Sequence, residues 1–151
     1  MIFYFVKIKM NRLKKNHFPL KKAYDIEVKE SPFGGYGVFA KEDIPADTVL
    51  ETCPTILLDA PLDYTGQSII NNYVFSTMDS EEKTLVAFGD CSLYNHQPYD
   101  KSNSEFNTIY DENLKRYLVQ MKTIKPIKKD EEITHDYGDD YWKENTNVTQ
   151  K

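Results

Sequence analysis

From about residue 23 onward, apolar positions recur in short runs, alternating or solid, and each run ends in a cluster of Gly, Pro, Asn or Asp. Runs of that length with that punctuation predict strands rather than helices. Ala23–Glu30 alternates loosely and predicts a first strand, closed by the turn Ser31-Pro32-Phe33-Gly34-Gly35. Val38-Phe39-Ala40 and Thr48–Cys53 come next, parted by Asp43-Ile44-Pro45-Ala46-Asp47, and Thr55–Leu58 continues as a strand. Pro61–Gln67 reads as irregular and Asn71–Ser76 as a short element. Ser80-Glu81-Glu82-Lys83 has the composition of a capped helical turn ahead of Leu85-Val86-Ala87. Thr108-Ile109-Tyr110 and Arg116–Lys122 flank Asp111-Glu112-Asn113 in the manner of a β-hairpin, with residues 98–107 as a loop before it. Ile124–Ile127 and Glu132–Tyr137 are the last predicted strands. No apolar period sustains a helix beyond about three turns. The expectation is a mostly-β single domain over 24–142, preceded by a basic extension, 1–23, and followed by a short tail, 143–151.

Composition changes little in that picture. The chain has 151 residues, 40% hydrophobic and 28% charged, which suits one domain with its own core. No stretch approaches the ~18 consecutive apolar residues of a membrane span. The six apolar residues Met1–Val6 precede the basic run, the reverse of a secretory leader, and the two isolated thiols Cys53 and Cys91 fit a reducing compartment, so an intracellular chain is expected. Cys53 and Cys91 stand apart, with no Cys-x-x-Cys and no histidine at ligand spacing, so no metal site is expected.

Charge is informative because it is uneven. Residues 1–24 hold seven Lys or Arg and no acid, whereas the remainder has 12 basic and 24 acidic residues and stands at −12. An acidic body attracts Lys-rich protein segments and repels a nucleic acid backbone.

Three short motifs carry the candidate chemistry. Gly34-Gly35-Tyr36-Gly37 follows a predicted strand and opens onto another strand, which rules out a dinucleotide fingerprint, since that needs a helix there. Taken alone it is a tight hairpin turn. Leu93-Tyr94-Asn95-His96 offers an Asn and a His, each able to donate and accept; alone it is a satisfied turn. In Glu131-Glu132-Ile133-Thr134-His135-Asp136-Tyr137-Gly138, strand alternation puts Ile133, His135 and Tyr137 on one face. Alone, Tyr137 is a core aromatic with its tip satisfied.

Together, in this order and spacing, the three motifs resemble the signature of SET-domain protein lysine methyltransferases, over about Tyr24–Trp142. The resemblance implies small curved sheets around a C-terminal pseudoknot, where the Asn-His and Tyr-Gly segments meet. It implies S-adenosylmethionine held by Gly35, Tyr36, Gly37, Asn95, His96 and Tyr137, with Tyr137 as the catalytic residue. It places the substrate lysine against Tyr73, His135, Tyr141 and Trp142. The implied partner is a histone tail or other basic protein segment, with a nuclear location if a histone is the substrate; some compact relatives pair as homodimers. Several features depart from the family. Gln97 follows Asn95-His96 where serine is usual, and a long loop replaces the following Pro-Asn, leaving Asn103 and Asn107 as candidates for the asparagine, Asn103 the favoured one. Cys91 stands where glycine is frequent. His135 occupies the place of a Phe or Tyr, where it is expected to hold a water or accept the phenol's hydrogen bond, and to titrate near neutrality. These departures also leave open a catalytically degenerate domain serving as a binding or scaffolding module.

Overall fold

The computed structural model describes residues 23–58, 69–77 and 83–144. The expected basic extension, the irregular Pro61–Gln67, most of the turn at Ser80–Glu82 and the C-terminal tail beyond 144 lie outside them.

Nine strands form among the described residues: β1 (Ile26–Glu30), β2 (Tyr36–Ala40), β3 (Val49–Leu57), β4 (Val74–Ser76), β5 (Thr84–Ala87), β6 (Asn95–His96), β7 (Ser104–Asp111), β8 (Arg116–Thr123) and β9 (Glu132–His135). Short 3-10 turns span Ile69–Tyr73 and Asp90–Leu93, and one six-residue helix, α1, spans Asp139–Glu144. The mostly-β expectation holds. No helix among the described residues is long and apolar enough to cross a membrane.

The strands join in the order β1-β2-β9-β7-β8-β3-β5-β4, with β6 beside β9. Val38, Ala40, Leu50, Leu85, Val119, Met121, Ile127 and Ile133 are all buried and form one core. Three local expectations are corrected, whereas the strand expected to continue past Pro54 does so, with pairing to β8 ending at Pro54–Leu118 and pairing to β5 beginning at Thr55–Ala87. The proline stands where the strand changes partner, and its missing N–H is not needed. β7 starts at Ser104 rather than Thr108, since Ser104 pairs with Thr123 across the hairpin and with His135 of β9. Ile124–Ile127 is no strand: Ile127 makes a single bridge, to Ile44, and both side chains are buried. Finally, Cys53 and Cys91, apart in sequence, meet in the core.

β9 organises the active end. It pairs antiparallel with β2 (Val38–Ile133) and parallel with β6 (Asn95–Thr134, His96–His135). Successive carbonyls of a strand point to opposite edges. The His135 carbonyl accepts from the Gln97 amide, and the Thr134 carbonyl accepts from the Asn103 amide. Residues 95–97 and Asn103 therefore lie on opposite edges of β9, and the loop 98–102 carries the chain around it. This is the crossing that the resemblance implies.

Asn103 secures the crossing. It is buried, its Oδ1 accepts from the Thr134 amide (2.9 Å), and its Nδ2 donates to the Glu132 carbonyl (2.9 Å) and to Glu131 Oε1 (3.2 Å). Ser104 Oγ adds a bond to the Thr134 carbonyl (2.9 Å). Asn107 is exposed on β7 and makes none of these bonds.

Candidate active site

The turn between β1 and β2 is closed by Gly34 N–H to the Ser31 carbonyl and Ser31 N–H to the Gly35 carbonyl. Gly35 has a φ of 68°, a conformation L side chains rarely adopt. Nothing lies within 4 Å of where a Cβ would stand on Gly34 or Gly35, so this main chain faces open space. Gly37 is the opposite case. A Cβ there would collide with the Glu132 carboxylate and lie 2.8 Å from Asn95 Nδ2. Glu132 cannot swing aside cheaply, because its Oε1 accepts from Asn95 Nδ2 (2.7 Å) and its Oε2 from Ser31 Oγ (2.9 Å). Asn95 Nδ2 also donates to the Tyr36 carbonyl (3.0 Å), tying β6 to the glycine turn. We expect Gly37→Ala to break this tie and to destabilise the chain by about 1–3 kcal/mol, the usual cost of overpacking. Urea denaturation of the two forms measures it.

Tyr137 follows β9 at the crossing. Its hydroxyl donates to the carbonyl of the fully buried Tyr94 (2.8 Å), and its amide donates to His96 Nδ1 (3.2 Å). An Nδ1 that accepts an N–H is unprotonated, so the His96 proton sits on Nε2. Burial lowers the His96 pKa further, against the opposing pull of Asp136. The Tyr137 phenol is held neutral, because burial raises its pKa, with Tyr141 and Tyr73 adding to the cost of ionisation. Its donor is committed to Tyr94, while its oxygen can still accept.

An aromatic wall surrounds this phenol. The ring centroid of Tyr137 lies 4.7 Å from Tyr141, 4.8 Å from His135, 5.3 Å from His96 and 6.2 Å from Trp142. Trp142 also meets His96 edge-on at 4.8 Å. Six-residue α1 brings Tyr141 and Trp142 back onto the crossing.

His135 is not the residue expected. It is buried, enclosed by Phe75, Phe106 and Tyr137, and its Nδ1 bonds the Asp136 carbonyl, which can only accept. Burial holds its pKa down, at about 4, so it stays neutral rather than titrating near neutrality. Nor does it receive the phenol's proton, which goes to Tyr94. Unfolded histidine titrates near ~6.5. The folded chain therefore binds fewer protons than the unfolded chain between those values. Stability conferred by neutral His135 is full above about pH 6.5 and is lost as pH falls toward 4, by roughly 3 kcal/mol. Denaturation midpoints across that range should fall more steeply for the natural chain than for His135→Leu.

The structure thus brings Asn95, His96, His135, Tyr137, Tyr141 and Trp142 together, with Gly35, Tyr36 and Gly37 joined to them through Asn95. Tyr73 ends a 3-10 turn, is 41% exposed, and is close enough to influence both Tyr137 and Tyr141 electrostatically. The Tyr36 side chain points to solvent, at 64% exposed. Sequence reasoning missed Glu132, whose carboxylate ties β9 to both neighbours, and the Tyr94 carbonyl. Glu132 carried no signal beyond its charge. A main-chain acceptor carries none at all.

A family model described as SET domain matches residues 35–138. The chain is 30% identical over 119 residues to a Schizosaccharomyces pombe protein named histone-lysine N-methyltransferase, H3 lysine-37 specific, covering 78% of this chain and 76% of that one. Among solved structures, a Plasmodium falciparum protein described as a candidate histone methyltransferase superposes with a TM-score of 0.61 at 25% identity, covering 79% of this chain and 97% of its own. CpSET8 from Cryptosporidium superposes at 0.60 with 20% identity, covering 76% of this chain and 57% of its own, and attests the fold alone.

Proposed function

Because the chain belongs to the SET domain family of protein lysine methyltransferases, we propose that it moves a methyl group from S-adenosylmethionine to the ε-nitrogen of a lysine in a histone tail or another basic protein segment. The observation that carries this reading is the convergence at one crossing of Asn95–His96, the glycine turn and a neutral Tyr137 walled by aromatic rings. The local surface fits such a cofactor. Main chain at Gly34–Gly35 is open to close approach, and His96 keeps an Nε2 donor. Gly35, Tyr36, Gly37, Asn95 and His96 would hold it. When bound, S-adenosylmethionine supplies an electrophilic methyl carbon on a positively charged sulfur.

The chain's own residues prepare the nucleophile. A lysine ammonium, with a free pKa near ~10.4, has no lone pair and must lose a proton first. Desolvation against Tyr73, Tyr141 and Trp142 disfavours the charged form, so the proton passes to solvent water and no dedicated base is required. Tyr137 is not that base: its phenol is neutral and already donates to Tyr94. It acts as an acceptor that holds an N–H of the neutral amine and aims the lone pair. Alignment of this kind lowers barriers by roughly 7–11 kcal/mol. The rings also attract an amine that has become methylated and cationic, by ~0.5–2 kcal/mol each.

The substrate class rests on two supports. The body of the chain stands at −12, which favours Lys-rich segments. The fission yeast relative carries a histone in its name. A histone substrate implies a nuclear location. Calorimetric titration with S-adenosylmethionine tests the cofactor half of the reading: we expect saturable binding at one site, weakened in Gly37→Ala. A folded natural chain that gives no heat would instead be a binding module with an eroded site.

A further inference from the structure

Away from the crossing, the core contains a second set of chemistry-bearing side chains. Strand alternation on β3 puts Glu51 and Cys53 on one face, and both are buried. Cys91 reaches them from the 3-10 turn Asp90–Leu93 and is 1% exposed. One ligand atom from each residue lies within 4.8 Å of the other two, and Cys53 hydrogen-bonds both Cys91 and Glu51. Gly89 presses against the set from the chain before Cys91: a Cβ there would run into Cys53 Sγ and lie 3.2 Å from Glu51 Oε2.

Tyr94 is the independent observation. It is 1% exposed, interacts electrostatically with Glu51, Cys91 and Cys53, and its hydroxyl has no hydrogen-bond partner among the described residues. A buried hydroxyl in that condition costs free energy that a ligand can recover.

We propose that Glu51, Cys53 and Cys91 bind a zinc-type divalent cation, with the Tyr94 hydroxyl beside the fourth coordination position. Two thiolates and a carboxylate are ligands such an ion takes. Bond lengths of about 2.3 Å to sulfur and 2.0–2.2 Å to oxygen set donor separations of roughly 3.5–3.8 Å in a tetrahedron, so a small inward movement completes the site. Binding releases the two thiol protons to solvent and leaves both sulfurs and the carboxylate on the ion. No local pattern announces the site, because the cysteines stand 38 positions apart and neither lies in a ligand-spaced motif. The site also adjoins the active end: the same Tyr94 presents its side chain here and its carbonyl to Tyr137.

Cadmium titration of the reduced full chain tests this, read by the ultraviolet cadmium–thiolate band and by native mass spectrometry. The expected result is saturation at one ion per chain. Cys91→Ser should weaken binding by more than about 100-fold. Tyr94→Phe should weaken it by roughly 10- to 100-fold, as loss of a partner outside the ligand set does. Since a core cysteine variant can unfold, the natural chain decides alone if needed: a saturable band from the folded protein supports the site. No band, or uptake unchanged in the Cys53→Ser, Cys91→Ser double variant, overturns it. So does recovery of a Cys53–Cys91 disulfide from a chain that takes no ion when reduced.

Discussion

Replacing Tyr137 by phenylalanine is expected to cut methyl transfer by about 100-fold or more while leaving cofactor affinity nearly unchanged. The ring is already fixed by Tyr141, His135, His96 and Trp142, so packing survives the loss of one oxygen. What disappears is the acceptor that aims the amine, and the Tyr94 carbonyl loses its donor. Misplacement by ~1 Å at the reacting centre costs about 100-fold, which sets the scale. The loss should fall on kcat, because the interaction matters most when the nitrogen attacks. Steady-state kinetics with a lysine peptide, alongside calorimetry with S-adenosylmethionine, separates the two quantities. A variant that loses cofactor binding in proportion to activity would make Tyr137 a binding residue only.

Asn103→Ala should be the most destabilising polar truncation at the crossing. It strands the Thr134 amide and the Glu132 carbonyl beneath the loop 98–102. Each buried group left without a partner costs about 1–3 kcal/mol, so a total of roughly 2–5 kcal/mol is expected. Asn107→Ala, on the exposed side of β7, should stay within about 0.5 kcal/mol of the natural chain. Paired denaturation curves give both values. Equal losses at the two positions would mean that Asn103 does not secure the crossing.

The contrast between these two asparagines illustrates what could be read from sequence. The strand pattern was legible because runs such as Val38-Phe39-Ala40 and the hairpin around Asp111-Glu112-Asn113 follow from local alternation and turn chemistry. The order of strands was not, since β9 pairing with β2, β6 and β7 depends on contacts between residues far apart. Motif order alone pointed to Asn95, His96 and Tyr137, and all three meet. It named both Asn103 and Asn107 and leaned toward Asn103, but only tertiary burial decides between them. His135 misled for a related reason: a histidine's charge is set by its enclosure, here Phe75, Phe106 and Tyr137, and no neighbour in sequence announces that. The meeting of Cys53 and Cys91 is likewise a product of β3 and the Asp90–Leu93 turn facing one core, and spacing rules are blind to it.

The decisive measurement is transfer of label from methyl-labelled S-adenosylmethionine to core histones and other basic proteins, followed by amino-acid analysis of the hydrolysed product. Label is expected on the lysine ε-nitrogen with the natural chain and almost none with Tyr137→Phe. Label on another residue, or equal incorporation by the two forms, would contradict it.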